Sequence, residues 1–325
     1  MFGLGKKAGS GQIGRWTALA AALALAAAPA AAAPASAPAA TAAPGKPAFV
    51  AATTPPNPAL WLLSDEDTRI YLFGTIHILP TGLRWRSPAF DEVARSADEL
   101  VLEVAEDPDA APAPSTLALM MLDSPQPILE RVSPDRRAAL REMIGSLELQ
   151  PELFDEMQTW AAVMTIAVVG MTRAMAGPDG SIDDLPGVED ALRVDFTETG
   201  RPISGVESGA QQLGFLAGLS PATQQRMLDE LVDSYLAGDP DLMEPGNEDW
   251  LRGDVTDIAE EMAELPPELY DVLVTRRNRA WTGWLIDRLD RPGTVLFAVG
   301  AGHLAGPDSV QSMLAARGFT VRRIR

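Results

Sequence analysis

The only two histidines of the chain sit in matching settings near its opposite ends. Tyr71-Leu72-Phe73 leads into Gly74-Thr75-Ile76-His77, and Leu296-Phe297-Ala298-Val299 leads into Gly300-Ala301-Gly302-His303. Each is an apolar run of strand character followed by Gly-x-x-His. With 27 glycines in 325 residues, composition alone would put glycine three residues before both histidines well under roughly 1 time in 100. A strand end delivers a side chain to a fixed place on a sheet rim, and glycine there allows a tight turn or the close approach of another backbone. The pattern therefore predicts two comparable halves, one from each end of the chain, meeting at one site. Imidazoles so held can ligate a divalent metal or transfer protons near neutral pH. Two histidines with purely structural hydrogen bonds are the alternative.

Two histidines do not complete most metal sites, so carboxylates are expected to join them. Glu103 lies inside the apolar run Glu99–Val104, and Glu207 follows Ile203-Ser204-Gly205-Val206. A glutamate inside an apolar strand is costly unless it is paired or ligated; exposure at a sheet edge is the alternative for each. Two His with one or two Glu suit Zn²⁺, Mn²⁺ or Co²⁺ in a hydrolytic site. Arg276 to Trp284 places cations and aromatics on one helix, and Arg277 and Asn278 are its candidates for contact with substrate or for support of the site, against a plain cationic face. No HExxH, no Gly-x-Ser-x-Gly elbow and no phosphate-binding loop occurs. The methionines at 120, 121, 157, 164, 171 and 175 read as core filler.

The element pattern predicts an α+β chain: central mixed β-sheets formed by the N- and C-terminal strand–Gly-x-x-His halves, flanked by helices, around a largely helical middle. Leu60–Leu63 and Ile70–Phe73, separated by Ser64-Asp65-Glu66-Asp67, read as a hairpin. Further strands are expected at 99–104, 202–206, 294–299 and 319–324. Helices are expected at 88–98, within 127–175 (with starts at Ser133-Pro134-Asp135 and Pro151), and at 187–199, 220–237, 247–264, from Pro266 through 289, and 306–317. The apolar stretch 160–170 is too short to span a membrane and suits a buried helix.

Forty-five acids against 26 bases give a formal charge of -19, which argues against nucleic acid as a partner. Cysteine is absent, which excludes disulfides, thiolate ligands and a cysteine nucleophile. Lys6, Lys7 and Arg15, an apolar stretch from Trp16 to about Ala28 and small residues through Ala33 read as a signal peptide over 1–33. Residues 34–57, rich in Ala, Pro and Thr, read as a tether, and 58–325 as the folded domain. The expected location is periplasmic or secreted, with no stable membrane insertion once the signal is removed. An uncleaved anchor is the alternative.

Taken in order, these pieces resemble the TraB/PrgY/GumN family. The resemblance rests on Phe73-Gly74-Thr75-Ile76-His77, Leu102-Glu103, Gly187-Val188-Glu189-Asp190, Arg201 through Glu207 with Gln211 and Gln212, Trp250 with Gly253-Asp254, Arg277-Asn278 with Trp281, and above all Val299 through Asp308. It implies a fold similar to erythromycin esterase and ChaN-like proteins, with the cleft between two halves. Its animal relatives, the Tiki proteins, are metal-dependent proteases; their two Gly-x-x-His motifs and a glutamate match His77, His303 and Glu103. Where the family usually has Gly-Ile-Asp or Gly-Val-Asp, this chain has Glu189, and Gly-Leu-Glu-Thr becomes Gly205-Val206-Glu207-Ser208. The expected activity is peptide-bond hydrolysis at a His77/His303/Glu103 metal site, with Glu103 or Glu207 as general base and a peptide or protein as substrate. The alternatives are a binder of a peptide or a metal-bearing ligand such as haem, and a metal-free esterase-like hydrolase.

Overall fold

The computed structural model describes residues 56–79, 82–105, 114–176, 186–238 and 247–325. The segments read as a signal peptide and, up to residue 55, as a tether lie outside them. Six strands form one mixed sheet: β1 (Leu60–Ser64), β2 (Thr68–Thr75), β3 (Glu99–Val104), β4 (Ile203–Glu207), β5 (Gly293–Gly300) and β6 (Val321–Arg323), in the order β4-β3-β5-β2-β1-β6. β2, β3, β4 and β5 run parallel, and β1 is antiparallel to both of its neighbours. The two Gly-x-x-His strands are not in separate sheets. β5 lies between β3 and β2, with Phe73 opposite Ala298 and Thr75 opposite Gly300. The expected α+β composition holds, within a single sheet among the described residues.

β5 shows why both faces of the sheet are covered. Val295, Phe297 and Val299 point to one side, and Leu296 and Ala298 to the other; all five are buried. An unbroken apolar strand of this kind is the mark of parallel strands packed on both faces. One face meets α1 (Pro88–Ser96) through Phe90 and Val93, and a helix at 188–198 through Val188, Leu192 and Phe196. The other meets a helix at 276–289 through Trp281 and Leu285, and one at 310–316 through Val310 and Leu314. Each such side chain contributes about 1.5–3 kcal/mol of burial.

Helix α2 is Pro114–Ala118, and the helix packed on the sheet at Val188–Glu198 is α5; the middle of the chain builds a third apolar cluster mainly from α3 (Arg137–Ser146), α4 (Thr159–Ala176), α6 (Gly209–Ala217) and α7 (Pro221–Leu236). α4 carries Trp160 through Met171 into this core, as the apolar run 160–170 predicts. No described helix is long and apolar enough to cross a membrane. α6 was not expected. A capping box, with Ser208 Oγ accepting from Gln211 N–H and the Gln211 side chain returning to Ser208 N–H, starts it. The expected helix 247–264 is instead two, α8 (Asn247–Arg252) and α9 (Thr256–Ala263). Gly253 between them has φ 71, a left-handed conformation that ends the first helix.

Pro266 and Pro267 open α10 (Pro267–Tyr270), which continues through one π-helical turn, Asp271–Thr275, into α11 (Arg276–Leu289); α12 is Val310–Ala316. Pro151 starts only a 3-10 turn, Pro151–Phe154. Of the methionines read as core, Met120, Met164 and Met171 are buried, whereas Met121 is 41% exposed, because it sits in an isolated β-bridge to Met157 at the surface.

Candidate functional site

Ligands of open α/β sheets gather beyond the carboxyl ends of parallel strands, and every candidate residue lies there. Glu103 is the penultimate residue of β3, and Glu207 the last of β4. His77 lies two residues past β2, and His303 lies in the 3-10 turn Ala301–Leu304 that follows β5. The first residues of α11 close the rim.

Arg277 is the hub. Its Nη2 donates to Glu103 Oε2 at 2.5 Å and lies 2.9 Å from Glu207 Oε2. Its Nε donates to both Glu207 oxygens at 3.0 and 3.1 Å, and Nη1 to His303 Nε2 at 3.0 Å. Glu207 also accepts from Trp281 Nε1 at 2.9 Å and from Gln212 Nε2 at 3.3 Å. Glu103 accepts from Gln212 Nε2 at 3.0 Å, and its Oε1 accepts from Gly300 N–H at 2.8 Å. A buried cation between two buried carboxylates, each with further donors, meets the condition under which such charges are tolerated.

His303 is oriented by Asn278. The Asn278 amide donates to His303 O at 3.1 Å and to Asp308 O at 2.8 Å, so its Oδ1 must accept. That oxygen lies 2.7 Å from His303 Nδ1, which assigns the proton to Nδ1 and leaves the Nε2 lone pair for Arg277. Trp281 packs on the ring at 4.3 Å between centroids.

His77 is held from α5. Its Nδ1 lies 2.8 Å from Glu189 Oε1, an ion-pair contact rather than an aligned hydrogen bond, and the Thr75 hydroxyl donates to the same oxygen. The backbone is docked too. Val188 N–H donates to Ile76 O at 2.9 Å, and a Cβ on Gly187 would stand 2.1 Å from His77 O, so only glycine fits. His77 Nε2 is buried and has no hydrogen-bond partner among the described residues.

The inward edge of the site lies at Gly300. A Cβ there would be 3.2 Å from Glu103 Oε1, 3.6 Å from His77 Nε2 and 3.7 Å from His303 Cδ2. One imidazole nitrogen, one imidazole carbon and a carboxylate oxygen thus face one glycine. In residue type they suit a divalent cation, and the buried His77 Nε2 lacks a hydrogen-bond partner, whereas His303 turns its Nε2 to Arg277. No three His, Asp or Glu side chains are already drawn into a ligand cluster among the described residues. Arg277 occupies His303 Nε2, and His303 Nε2 and Glu103 Oε1 stand 3.7 Å apart.

A family model, the TraB/PrgY/gumN family, matches residues 59–323. The chain belongs to the TraB/PrgY/gumN family. No curated protein and no solved structure matches it.

In this family member the structure brings His77, His303, Glu103, Glu207, Arg277 and Asn278 together. Neither Arg277 nor Asn278 forms an open surface; they are 3% and 0% exposed. Both Glu207 oxygens are taken by Arg277, with Trp281 and Gln212 adding to them, so Glu207 holds the guanidinium instead of standing free as a base. Glu189 and Gln212 join the site without having been singled out for it. The sequence signals were Gly187-Val188-Glu189, with its glycine, and the Ser208–Gln211 cap that turns Gln212 inward.

Burial alone would lower the basicity of His77, but the Glu189 carboxylate outweighs it and raises the pKa to about 9. Burial lowers that of His303 to about 3, helped by the charge of Arg277. Burial would raise Glu103, but Arg277, His303, His77 and the Gly300 N–H hold its carboxyl well below the usual range.

These shifts act on stability in opposite directions. A raised His77 pKa stabilises the fold fully below the unfolded value near 6.5, and that contribution is lost as pH rises through about 9. A depressed His303 pKa costs stability as pH falls below 6.5, because the unfolded chain then takes up the proton. In metal-stripped protein the melting temperature should fall between pH 7 and 9.5, and Glu189→Gln should flatten that decline. Parallel profiles of the two proteins by calorimetry would count against the His77–Glu189 assignment.

Proposed function

We propose that this chain is an exported metal-dependent peptidase. The observation that carries the reading is the convergence of His77 Nε2, Glu103 Oε1 and the His303 ring on Gly300, at the carboxyl rim of the parallel strands. His77, His303 and Glu103 would hold Mn²⁺, Co²⁺ or Zn²⁺, which supplies polarisation of the scissile carbonyl and a more acidic water when bound. Peptide as the substrate class comes from the resemblance to the Tiki proteases, and export from the signal-peptide pattern of residues 1–33.

The chain's own residues do the rest. Asn278 and Glu189 fix the two imidazoles through their Nδ1 sides. Of the two carboxylates, only Glu103 presents an oxygen, Oε1, beside Gly300, so it is the one that would reach a bound ion there. Arg277 keeps Glu103 ionised and lies where negative charge would develop on a carbonyl oxygen bound near His303. Glu207, Trp281 and Gln212 hold that machinery in register.

The test is a peptide mixture followed by mass spectrometry, beside titration of the metal-stripped chain with Mn²⁺, Co²⁺ and Zn²⁺. New fragments that vanish on chelation, and tight stoichiometric binding that His77→Ala loses, are the expected results. Full peptidase activity in His77→Ala would sink the proposal, and depletion of peptides without fragments would make the protein a binder.

One observation favours a second reading. Arg277 occupies His303 Nε2, and His77, raised to about 9, is protonated at neutral pH. A metal-free hydrolase would use that proton at Nε2 as a general acid for the leaving group. Fragmentation unaffected by chelators would select it.

A further inference from the structure

Only one nitrogen of His77 can face the space at Gly300, and the fold chooses which. Glu189 is 5% exposed, and a buried carboxylate is costly unless it meets donors or positive charge. Capping of α5 does not explain its burial, because Asp190 does that, accepting from Gly187 N–H at 2.7 Å. The Glu189 side chain instead reaches His77 Nδ1 at 2.8 Å and the Thr75 hydroxyl. The contact is not between two independent side chains. Val188 N–H binds Ile76 O, and Gly187 abuts His77 O, so the carboxylate and the imidazole are set by one backbone junction. Asn278 Oδ1 does the same for His303 Nδ1 from the other side, at 2.7 Å.

We propose that Glu189 is a positioning residue: supported by Thr75, it holds His77 with a protonated Nδ1 turned to α5 and thereby presents Nε2 to the space at Gly300. The inference rests on the peptidase reading only for what Nε2 then does. Metal-binding histidines characteristically give their second nitrogen to a carboxylate or carbonyl in this way, and loss of that partner typically weakens metal binding about 10–100-fold.

The chain has two histidines, so isotope labelling of their ring nitrogens gives two imidazole signals to read by NMR. In alkaline solution, where both rings of the full chain are neutral, each should carry its one proton on Nδ1. Glu189→Leu, similar in size but with no acceptor, should give His77 mixed protonation at Nδ1 and Nε2, leave the His303 signal unchanged, and weaken Zn²⁺ binding roughly 10–100-fold. An unchanged His77 ring pattern together with unchanged Zn²⁺ affinity in Glu189→Leu overturns the proposal. If that variant does not fold, Thr75→Val decides. It keeps the carboxylate but frees it, and should weaken Zn²⁺ binding a few-fold; no change in affinity or ring pattern overturns the proposal equally. Loss of the Nδ1 preference in Glu189→Leu, in a protein whose wild type binds no Zn²⁺, supports the positioning role and ends the metal reading instead.

Discussion

Gly300→Ala is expected to cut peptide hydrolysis and divalent-metal affinity by roughly 100-fold, the scale on which displacements of about 1 Å at a reacting centre act, while the fold stays intact. The backbone of Gly300 has φ -47 and ψ 135, which any L residue adopts. The added methyl would meet Glu103 Oε1 at 3.2 Å, His77 Nε2 at 3.6 Å and His303 Cδ2 at 3.7 Å. These are ordinary to tight contacts, relieved by a shift of a few tenths of an ångström at Glu103. Glycine-to-alanine changes at compatible positions even add about 0.4–1 kcal/mol through the unfolded chain. The methyl therefore fills the space that three functional side chains border without straining the strand. Calorimetry, metal titration and fragment analysis on the same preparation separate the two effects. Wild-type metal affinity and wild-type turnover in this variant would mean that the chemistry lies elsewhere.

Arg277→Met is expected to have the largest effect on stability. It removes the cation between Glu103 and Glu207, whose side chains are each 7% exposed. A buried charge left without its partner costs about 3–5 kcal/mol, which for a domain of this size corresponds to a fall in melting temperature on the order of 10 °C. The pH dependence carries the sign. In the wild type, Arg277 holds Glu103 ionised, and that stabilisation is present above the unfolded carboxyl pKa and lost as pH falls toward the depressed folded value. Without the arginine, burial raises the Glu103 pKa instead, so acid should narrow the gap between variant and wild type. A variant that melts within about 1 °C of the wild type at pH 7 would show that the two carboxylates find other partners.

Much of this arrangement was legible before any coordinates, and for identifiable reasons. The run ELVLEV predicts β3 at 99–104, where it lies, because it is bounded by a helix end and carries its acids toward the ends of an apolar run. The hairpin of β1 and β2 follows from six polar residues, Ser64 to Arg69, between two apolar runs, and Asp65 Oδ1 closes it by accepting from Thr68 N–H at 2.8 Å. His77, His303, Glu103 and Glu207 were found because each ends or follows a strand, and parallel strands bring their carboxyl ends to one rim.

What escaped the sequence was pairing across long separations. Glu189 is 114 residues from Thr75, and Arg277 is 174 residues from Glu103 and 70 from Glu207. The glycine of Gly187-Val188-Glu189 marks a close approach, but no local feature names the partner of either residue. Glu189 sits in the first turn of an ordinary helix, where an acid is expected anyway. Only the docking of Gly187 on the His77 turn converts it into a partner of the imidazole. Arg277 looked like one of several cations on a helix. Its neighbour Arg276 does pair at the surface with Asp271, at 2.7 Å, and only the turn of the helix sends Arg277 inward.

The strand order also governs when the site can exist. β5 occupies the centre of the sheet, hydrogen-bonded to β2 and β3 on its two sides, yet it is the fifth of the six strands to be synthesised. Until residues 293–300 insert, β2 and β3 have no common neighbour, and His77 and Glu103 have no Gly300 between them. Contacts between segments so far apart in sequence form slowly, because loop closure precedes any gain. A chain still emerging from the ribosome thus carries every side chain of the first half-site but cannot assemble the centre. The centre is complete only once nearly the whole length has been made and folded, a timing built into the topology.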